Sequence, residues 1–185
     1  MKESIIHTAH PAGRPPRTIM EVFRMLPETT LAEVINKTLY MSPAPIGKHQ
    51  RTIRKLVSQM SAHTEATGIG EVFVSPFDVF LDEHSNAVQP DIFFISTDRL
   101  DIVDDDGGVH GVPGLIIEIL SPGNPKHDLE TKKDLYEKFG VKEYWIVNPA
   151  TKEVIGYTLI NNRYGTPTEA IGIIPSPLLG HTFSF

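Results

Sequence analysis

The chain has 185 residues, of which 40% are hydrophobic and 22% are charged, a balance that suits one folded domain and excludes a disordered chain. It has no cysteine, which excludes disulfides, thiolate zinc sites and a cysteine nucleophile. No apolar run approaches the ~20 residues of a membrane span or resembles a signal peptide, so we expect a cytoplasmic protein with no membrane contact.

The net charge of −6 is unevenly distributed along the chain. Residues 1–60 have 9 Lys and Arg against 4 Asp and Glu, a net charge of +5. Residues 61–185 have 8 against 19, a net charge of −11. A basic N-terminal part can attract a polyanion to one face, although a solvated helix face explains the same residues equally well.

The N-terminal third of the chain predicts an arm, two helices and a pair of strands. Residues 1–17 contain several prolines and predict a flexible arm, and residues 18–26 are typical of a short helix. Residues 31–42 predict two strands with a turn near Asn36 and Lys37.

The longest predicted helix covers residues 45–67. An apolar stripe follows one side of it, and Gly68 is a natural end. The opposite face of this helix has the basic residues Lys48, Arg51, Arg54 and Lys55.

The rest of the chain alternates between strands and one further helix. The predicted strands cover residues 71–75, 77–81, 90–96, 115–121, 144–148 and 154–160. The helix begins at Asn124 and Pro125, which suit an N-cap and a first helical position, and ends at Gly140. With no internal repeat and no linker, residues 18–185 predict a single α/β domain, a mixed sheet flanked by helices.

Glu118 lies in the middle of the apolar strand predicted at residues 115–121. Strand side chains alternate between two faces, and both faces are otherwise apolar, so this strand is expected to be central and covered on both sides. An unpaired buried carboxylate costs several kcal/mol. Glu118 therefore needs a metal ion, a basic side chain or a proton, although a salt bridge at a strand end would also explain it.

Two other residues are candidate partners for Glu118. Asp91 follows a proline at the head of another apolar strand, where it either lines a site or simply begins the strand. Lys132 shares a helical face with three apolar residues, so it points inward unless its stem carries the amine to solvent. Carboxylates suit Mg²⁺, which lowers the pKa of bound water, and a lysine can stabilise charge on a phosphate.

Several motifs together resemble the Uma-two endonuclease family, part of the PD-(D/E)XK nuclease superfamily. They are Q-P-D at Asp91, I-E-I-L-S-P at Glu118, the following D-L-E-T-K-K-D-L-Y-E-K-F-G-V-K-E-Y-W-I-V-N-P, and A-E-V-I-N-K-T-L-Y-M-S-P near the N-terminus. The likeness extends from about Thr18 to Pro149. It implies a restriction-endonuclease-like core with a Mg²⁺ or Mn²⁺ site.

The resemblance also implies roles for individual residues. Asp91 and Glu118 correspond to metal ligands, with the backbone carbonyl of Ile119 as a further ligand. Glu33 matches an acidic position that approaches the site from the N-terminal region, and Lys132 takes the part of the catalytic lysine.

One position departs from the superfamily pattern, because E-x-K would place a lysine where this chain has Leu120. A lysine moved to the following helix is a variation that the family shares. His49 matches the family histidine and is expected to contact phosphate or orient Glu33, although a plain helix-end histidine is an equal alternative. Lys48 and Arg51 are further candidates for DNA contacts.

These features predict a divalent-metal-dependent endonuclease that hydrolyses DNA and forms a homodimer. A non-catalytic nucleic-acid or protein-binding module on a nuclease fold is the first alternative, since an acidic body opposes DNA binding. A metal-dependent hydrolase of another phosphate ester is the second.

Overall fold

A computed structural model describes residues 15–27, 29–121 and 126–185. The elements of the first half are α1 (Ile19–Arg24), β1 (Ala32–Ile35), β2 (Thr38–Met41), α2 (Gly47–Thr67), β3 (Gly70–Val74), β4 (Val79–Asp82), β5 (Asn86–Val88), β6 (Ile92–Ser96), a 3₁₀ helix (Thr97–Ile102), β7 (Val103–Asp104) and β8 (Gly108–His110). They are followed by β9 (Leu115–Ile119), a π-helical turn (His127–Lys132), α3 (Lys133–Phe139), β10 (Glu143–Val147), β11 (Glu153–Ile160), β12 (Arg163–Tyr164), β13 (Thr168–Ile171), β14 (Ile173–Ser176) and β15 (His181–Ser184).

The larger sheet is mixed and has the strand order β12-β11-β10-β9-β6-β3, with β13 also paired to β11. Its central strands β9 and β10 are parallel, whereas β6 is antiparallel to β9. A second sheet has the order β2-β1-β5-β4-β8-β7, and β14 and β15 form a separate hairpin. The crossover between the parallel strands contains α3, as such connections usually do.

Residues with positive φ explain where strand β1 and helix α2 end. Asn36 and Lys37 both have positive φ, at 49° and 64°, which suits the two-residue turn of the β1–β2 hairpin. The Asn36 N–H also donates to Oδ1 of Asn86 at 2.8 Å, which joins this hairpin to β5. Helix α2 ends at Gly68, whose φ of 66° is left-handed and whose N–H donates to the Thr64 carbonyl at 2.8 Å.

Apolar residues cover β9 on both faces. Leu115, Ile117 and Ile119 pack in the cluster that includes α2, while Ile116 packs in the cluster that includes α3 and the second sheet. Because side chains alternate, Glu118 shares the face of Ile116 and points toward α3. All five residues of β9 are buried, so the predicted central position of this strand is confirmed.

The predicted helices and strands are present, and each of the six strands named above ends within two residues of its predicted limits. The turn at Asn36 and Lys37 and the helix end at Gly140 are also confirmed. Residues 1–14 of the arm predicted at residues 1–17, and the predicted helix start at Asn124 and Pro125, lie outside the described residues. The helix that follows differs from the prediction, because its first described turn is π-helical. No helix in the described ranges is long and apolar enough to cross a membrane.

Candidate active site

Charged side chains from separate elements meet at a cavity of about 370 Å³. It lies between the start of α2, strand β1, the residue before β6 and the end of β9. The charged and histidine side chains that line it are Glu33, His49, Asp91, Glu118, His127, Asp128 and Lys132. The chain therefore brings together residues that are up to 99 positions apart in sequence.

The amine of Lys132 is the centre of the cluster. Its Nζ atom is 2.9 Å from Oε1 of Glu33 and 2.9 Å from Oε1 of Glu118, with Oδ1 of Asp128 at 3.8 Å. The side chains of Lys132, Glu33 and Glu118 are only 5–6% exposed. The prediction that Lys132 points inward is confirmed, and the alternative in which its amine reaches solvent is wrong.

Helical spacing brings a second donor to Glu118. Tyr136 lies four residues after Lys132, on the same face of the helix. Its hydroxyl donates to Oε1 of Glu118 at 2.8 Å, the same oxygen that accepts from Lys132. Two donors on one oxygen fix the orientation of the carboxylate.

Asp91 is held at the end of β9 by two contacts. Its Oδ2 atom accepts from the Ile119 N–H at 2.7 Å and lies 3.1 Å from Nε2 of His49. His49 is buried, and its Nδ1 has no hydrogen-bond partner within the described residues. His49 thus orients Asp91, and the expected contact of His49 with Glu33 is replaced by this one.

Glu33 lies on β1 and is held in position by Gln89, two residues before Asp91. Its Oε1 atom accepts the Gln89 N–H at 2.9 Å. The Gln89 side chain in turn donates to Oδ1 of Asp78 at 2.7 Å and to the Thr30 carbonyl at 3.1 Å. Gln89 therefore acts as a rigid support for Glu33.

Burial raises the pKa of the acids in the cluster, whereas the charge of Lys132 lowers it. Burial alone would raise the pKa of Glu33, but the adjacent Lys132 amine, the neighbouring His127 side chain and the hydrogen bond from the Gln89 N–H lower it to about 2. Burial raises the pKa of Glu118 well above its ordinary value, despite Lys132, and Asp91 and Asp128 add to the rise. Burial lowers the pKa of Lys132 less than its carboxylate neighbours raise it. Lys132 is therefore charged, and a further cation would favour ionised Glu118.

The donor set is suited to a hard cation, since it consists of carboxylate and backbone oxygens. Among the described residues, no three His, Asp or Glu side chains already form an ion cage, because the Lys132 amine lies between Glu33 and Glu118. The contacts described above use Oε1 of Glu118 and Oδ2 of Asp91. The second oxygens of these two residues are the ones that could reach an ion, next to the Ile119 carbonyl.

The structure brings Glu33, Asp91, Glu118, Ile119 and Lys132 to one cavity, as the sequence predicted. Lys48 and Arg51 are exposed on α2 and are not among the residues that line it.

Three residues around the site were given no role in it by the sequence analysis. Tyr136 had the correct helical spacing but was assigned to the core, and Gln89 directly precedes Pro-Asp without a signal of its own. His127, whose ring lies 4.6 Å from that of Tyr40, reaches the cavity through the π-helical turn.

The mixed sheet between helices, with an acidic cluster and a lysine at one end of its central strands, is a restriction-endonuclease-like nuclease fold. A crystal structure described as "a putative nuclease belonging to DUF820" from Anabaena variabilis matches it with a TM-score of 0.72 and 20% sequence identity, over 89% of this chain and 92% of that chain. The chain belongs to the Uma2 family, whose model is described as "Putative restriction endonuclease" and matches residues 10–176. The family predicted from the motifs is thereby confirmed. None of the curated proteins compared with the chain matches it.

Proposed function

We propose that the protein is a divalent-metal-dependent nuclease that hydrolyses phosphodiester bonds of DNA. The observation that carries the proposal is the buried Lys132 amine, 2.9 Å from both Glu33 and Glu118, in a cavity also lined by Asp91. Buried carboxylates in excess of one lysine must either bind protons or lie beside a second source of positive charge. Mg²⁺ or Mn²⁺ bound there would activate a water molecule and neutralise charge on the phosphate.

Each residue of the cluster has a distinct part in this proposal. Asp91 and Glu118 would hold the ion together with the Ile119 carbonyl, through the carboxylate oxygens that the contacts above leave free. Lys132 has three N–H donors, of which two contact Glu33 and Glu118, so the third can donate to a phosphate oxygen. That donor stabilises the negative charge that develops as water attacks phosphorus and the sugar oxygen leaves.

Glu33 and His49 act through other residues. Glu33 keeps Lys132 charged and in place, and His49 keeps Asp91 directed at the end of β9. Lys48 and Arg51 belong to the proposal as contacts to phosphates outside the cavity. The predicted homodimer also belongs to it, and the mass of the protein in solution tests it.

The experiment compares two buried glutamates on neighbouring strands. Glu118→Gln removes a charge from the cavity, whereas Glu143→Gln alters a carboxylate that contacts Trp145 and Ser176 instead. Cleavage of single-stranded oligonucleotides and plasmid DNA is measured with Mg²⁺ or Mn²⁺. We expect Glu118→Gln to lose at least ~100-fold in rate and Glu143→Gln to keep its rate.

The same experiment can contradict the proposal. Equal cleavage rates of wild type and Glu118→Gln would show that Glu118 takes no part in the reaction. No cleavage by wild type, together with no Mg²⁺ or Mn²⁺ binding in calorimetry, would favour the non-catalytic module.

A further inference from the structure

The reactive groups lie deep below the surface of the protein. The side chains of Glu33, Glu118 and Lys132 are 5–6% exposed, and that of Asp91 is 16% exposed. A phosphate must therefore enter the cavity to reach them. A site that cuts a phosphate on a surface groove would expose its acids more fully.

The size of the cavity limits what can enter. Its volume of about 370 Å³ equals that of a sphere about 9 Å across, too narrow to admit the body of B-form DNA, whose major groove alone is ~12 Å wide. Duplex DNA is stiff over ~150 base pairs, so bending one phosphate sharply inward within a few base pairs costs free energy. An unpaired strand avoids this cost, because its backbone bonds rotate freely.

The mouth of the cavity is apolar. Met41 lines it and is 61% exposed, while Ile46 and Val74, next to lining residues, are 46% and 40% exposed. They are three of the seven large hydrophobic side chains that are exposed in the described ranges. The outer surface of a duplex presents charged phosphates, which an apolar rim does not complement, whereas the faces of unpaired bases are apolar.

Two exposed basic residues are adjacent in sequence to residues that line the cavity. Arg54 is exposed and directly follows Ile53, which lines the cavity. It also lies only about 40° around α2 from Gln50, another residue that lines the cavity. Lys126 is exposed and precedes the lining residue His127. Cations beside an apolar surface are the combination that binds a single strand, with phosphates on the charges and bases on the apolar surface.

We propose that this site acts on a single, unpaired DNA strand and not on the interior of a duplex. The inference rests on the proposed nuclease function and specifies its substrate. One nucleotide enters the cavity, and the adjacent bases lie on the rim formed by Met41, Ile46 and Val74.

The test uses three end-labelled substrates of one sequence: a single strand, a blunt duplex and a duplex with a splayed, unpaired arm. With Mn²⁺, we expect the single strand and the unpaired arm to be cut at least ~10-fold faster than the paired region. Cleavage of the duplex interior at the rate of the single strand, or faster, overturns the inference and leaves the nuclease proposal standing. Cleavage of none of the three overturns the nuclease proposal itself.

A matched pair of variants tests the rim. Met41→Gln and Met25→Gln make the same change at exposed methionines, 61% and 55% exposed, but Met25 is the C-cap of α1 and is not among the residues that line the cavity. We expect Met41→Gln to raise KM for the single strand about five-fold with kcat unchanged, since it removes a contact made equally in the ground and transition states. Met25→Gln should change neither constant, and equal constants for both variants would remove the rim from substrate binding.

Discussion

Replacing Lys132 by methionine removes the cation of the buried cluster and keeps most of the side-chain volume. In the folded protein Lys132, together with the His127 side chain and a hydrogen bond from Gln89, lowers the pKa of Glu33 from the ordinary 4.5 to about 2, against the rise from burial. An acid with a lowered folded-state pKa stabilises the protein above its unfolded pKa, and this contribution is lost as pH falls through the folded value. The difference between 4.5 and about 2 corresponds to ~3 kcal/mol at neutral pH.

Without Lys132, Glu33 loses the largest influence that lowers its pKa and keeps only the His127 side chain and the hydrogen bond from Gln89 against burial, so its pKa rises. An acid with a raised folded-state pKa loses its stabilising contribution as pH rises through that value. We therefore expect Lys132→Met to lower the free energy of unfolding by ~3–5 kcal/mol at pH 7.5 without divalent ions. The loss at pH 5 should be at least ~1 kcal/mol smaller, since the carboxylates can then bind protons.

Urea unfolding at the two pH values, followed by circular dichroism, measures both quantities. The neighbouring Lys133→Met is the matched control, because the Lys133 side chain is 27% exposed and contacts the exposed Asp134. We expect the control to change stability by less than ~1 kcal/mol. A loss in Lys132→Met no larger than that of the control, or equal at both pH values, would refute the reasoning.

Three other predictions follow from the same contacts. Tyr136→Phe removes a donor to Glu118 and should weaken Mn²⁺ binding about ten-fold in calorimetry; an unchanged Kd would contradict a role in orienting the ligand. Because burial raises the pKa of Glu118, protons compete with the ion, so Mn²⁺ affinity should rise with pH, and calorimetry in two buffers should detect proton release. Glu143→Gln disturbs a buried carboxylate that accepts three hydrogen bonds, so it should lower the free energy of unfolding by ~1–3 kcal/mol. It should leave the Mn²⁺ affinity unchanged, and weaker Mn²⁺ binding would show that the two sites are coupled.

Local patterns were sufficient to predict the elements that form the centre of the fold. Strand β9 and helix α3 have strong apolar periodicity, so the burial of Glu118 and the inward direction of Lys132 followed from spacing alone. The C-terminal strands β12 to β15 were not predicted, and contacts with distant residues add to the local pairing of this region. For example, Glu143 accepts from Ser176 Oγ and the Leu178 N–H, 33 and 35 residues later in the chain.

Such local patterns could not predict which distant residues meet in the site. Glu33 lies 99 residues before Lys132, and the family resemblance alone indicated that they meet. His49 was expected to contact phosphate or to orient Glu33, with a plain helix-end histidine as the alternative, and its side-chain partner is Asp91, since the contact depends on how the start of α2 meets the start of β6. Gln89 and Tyr136 were missed as supports because hydrogen bonds to buried acids leave no periodic signal.

The most direct test of the metal site is an anomalous difference map from crystals of the protein soaked in Mn²⁺. The proposal predicts one strong peak at the end of β9, about 2.1–2.2 Å from a carboxylate oxygen of Asp91 and one of Glu118, with the Ile119 carbonyl within reach. A map in which manganese binds elsewhere, while this cavity shows no peak at saturating Mn²⁺, would contradict the proposed chemistry.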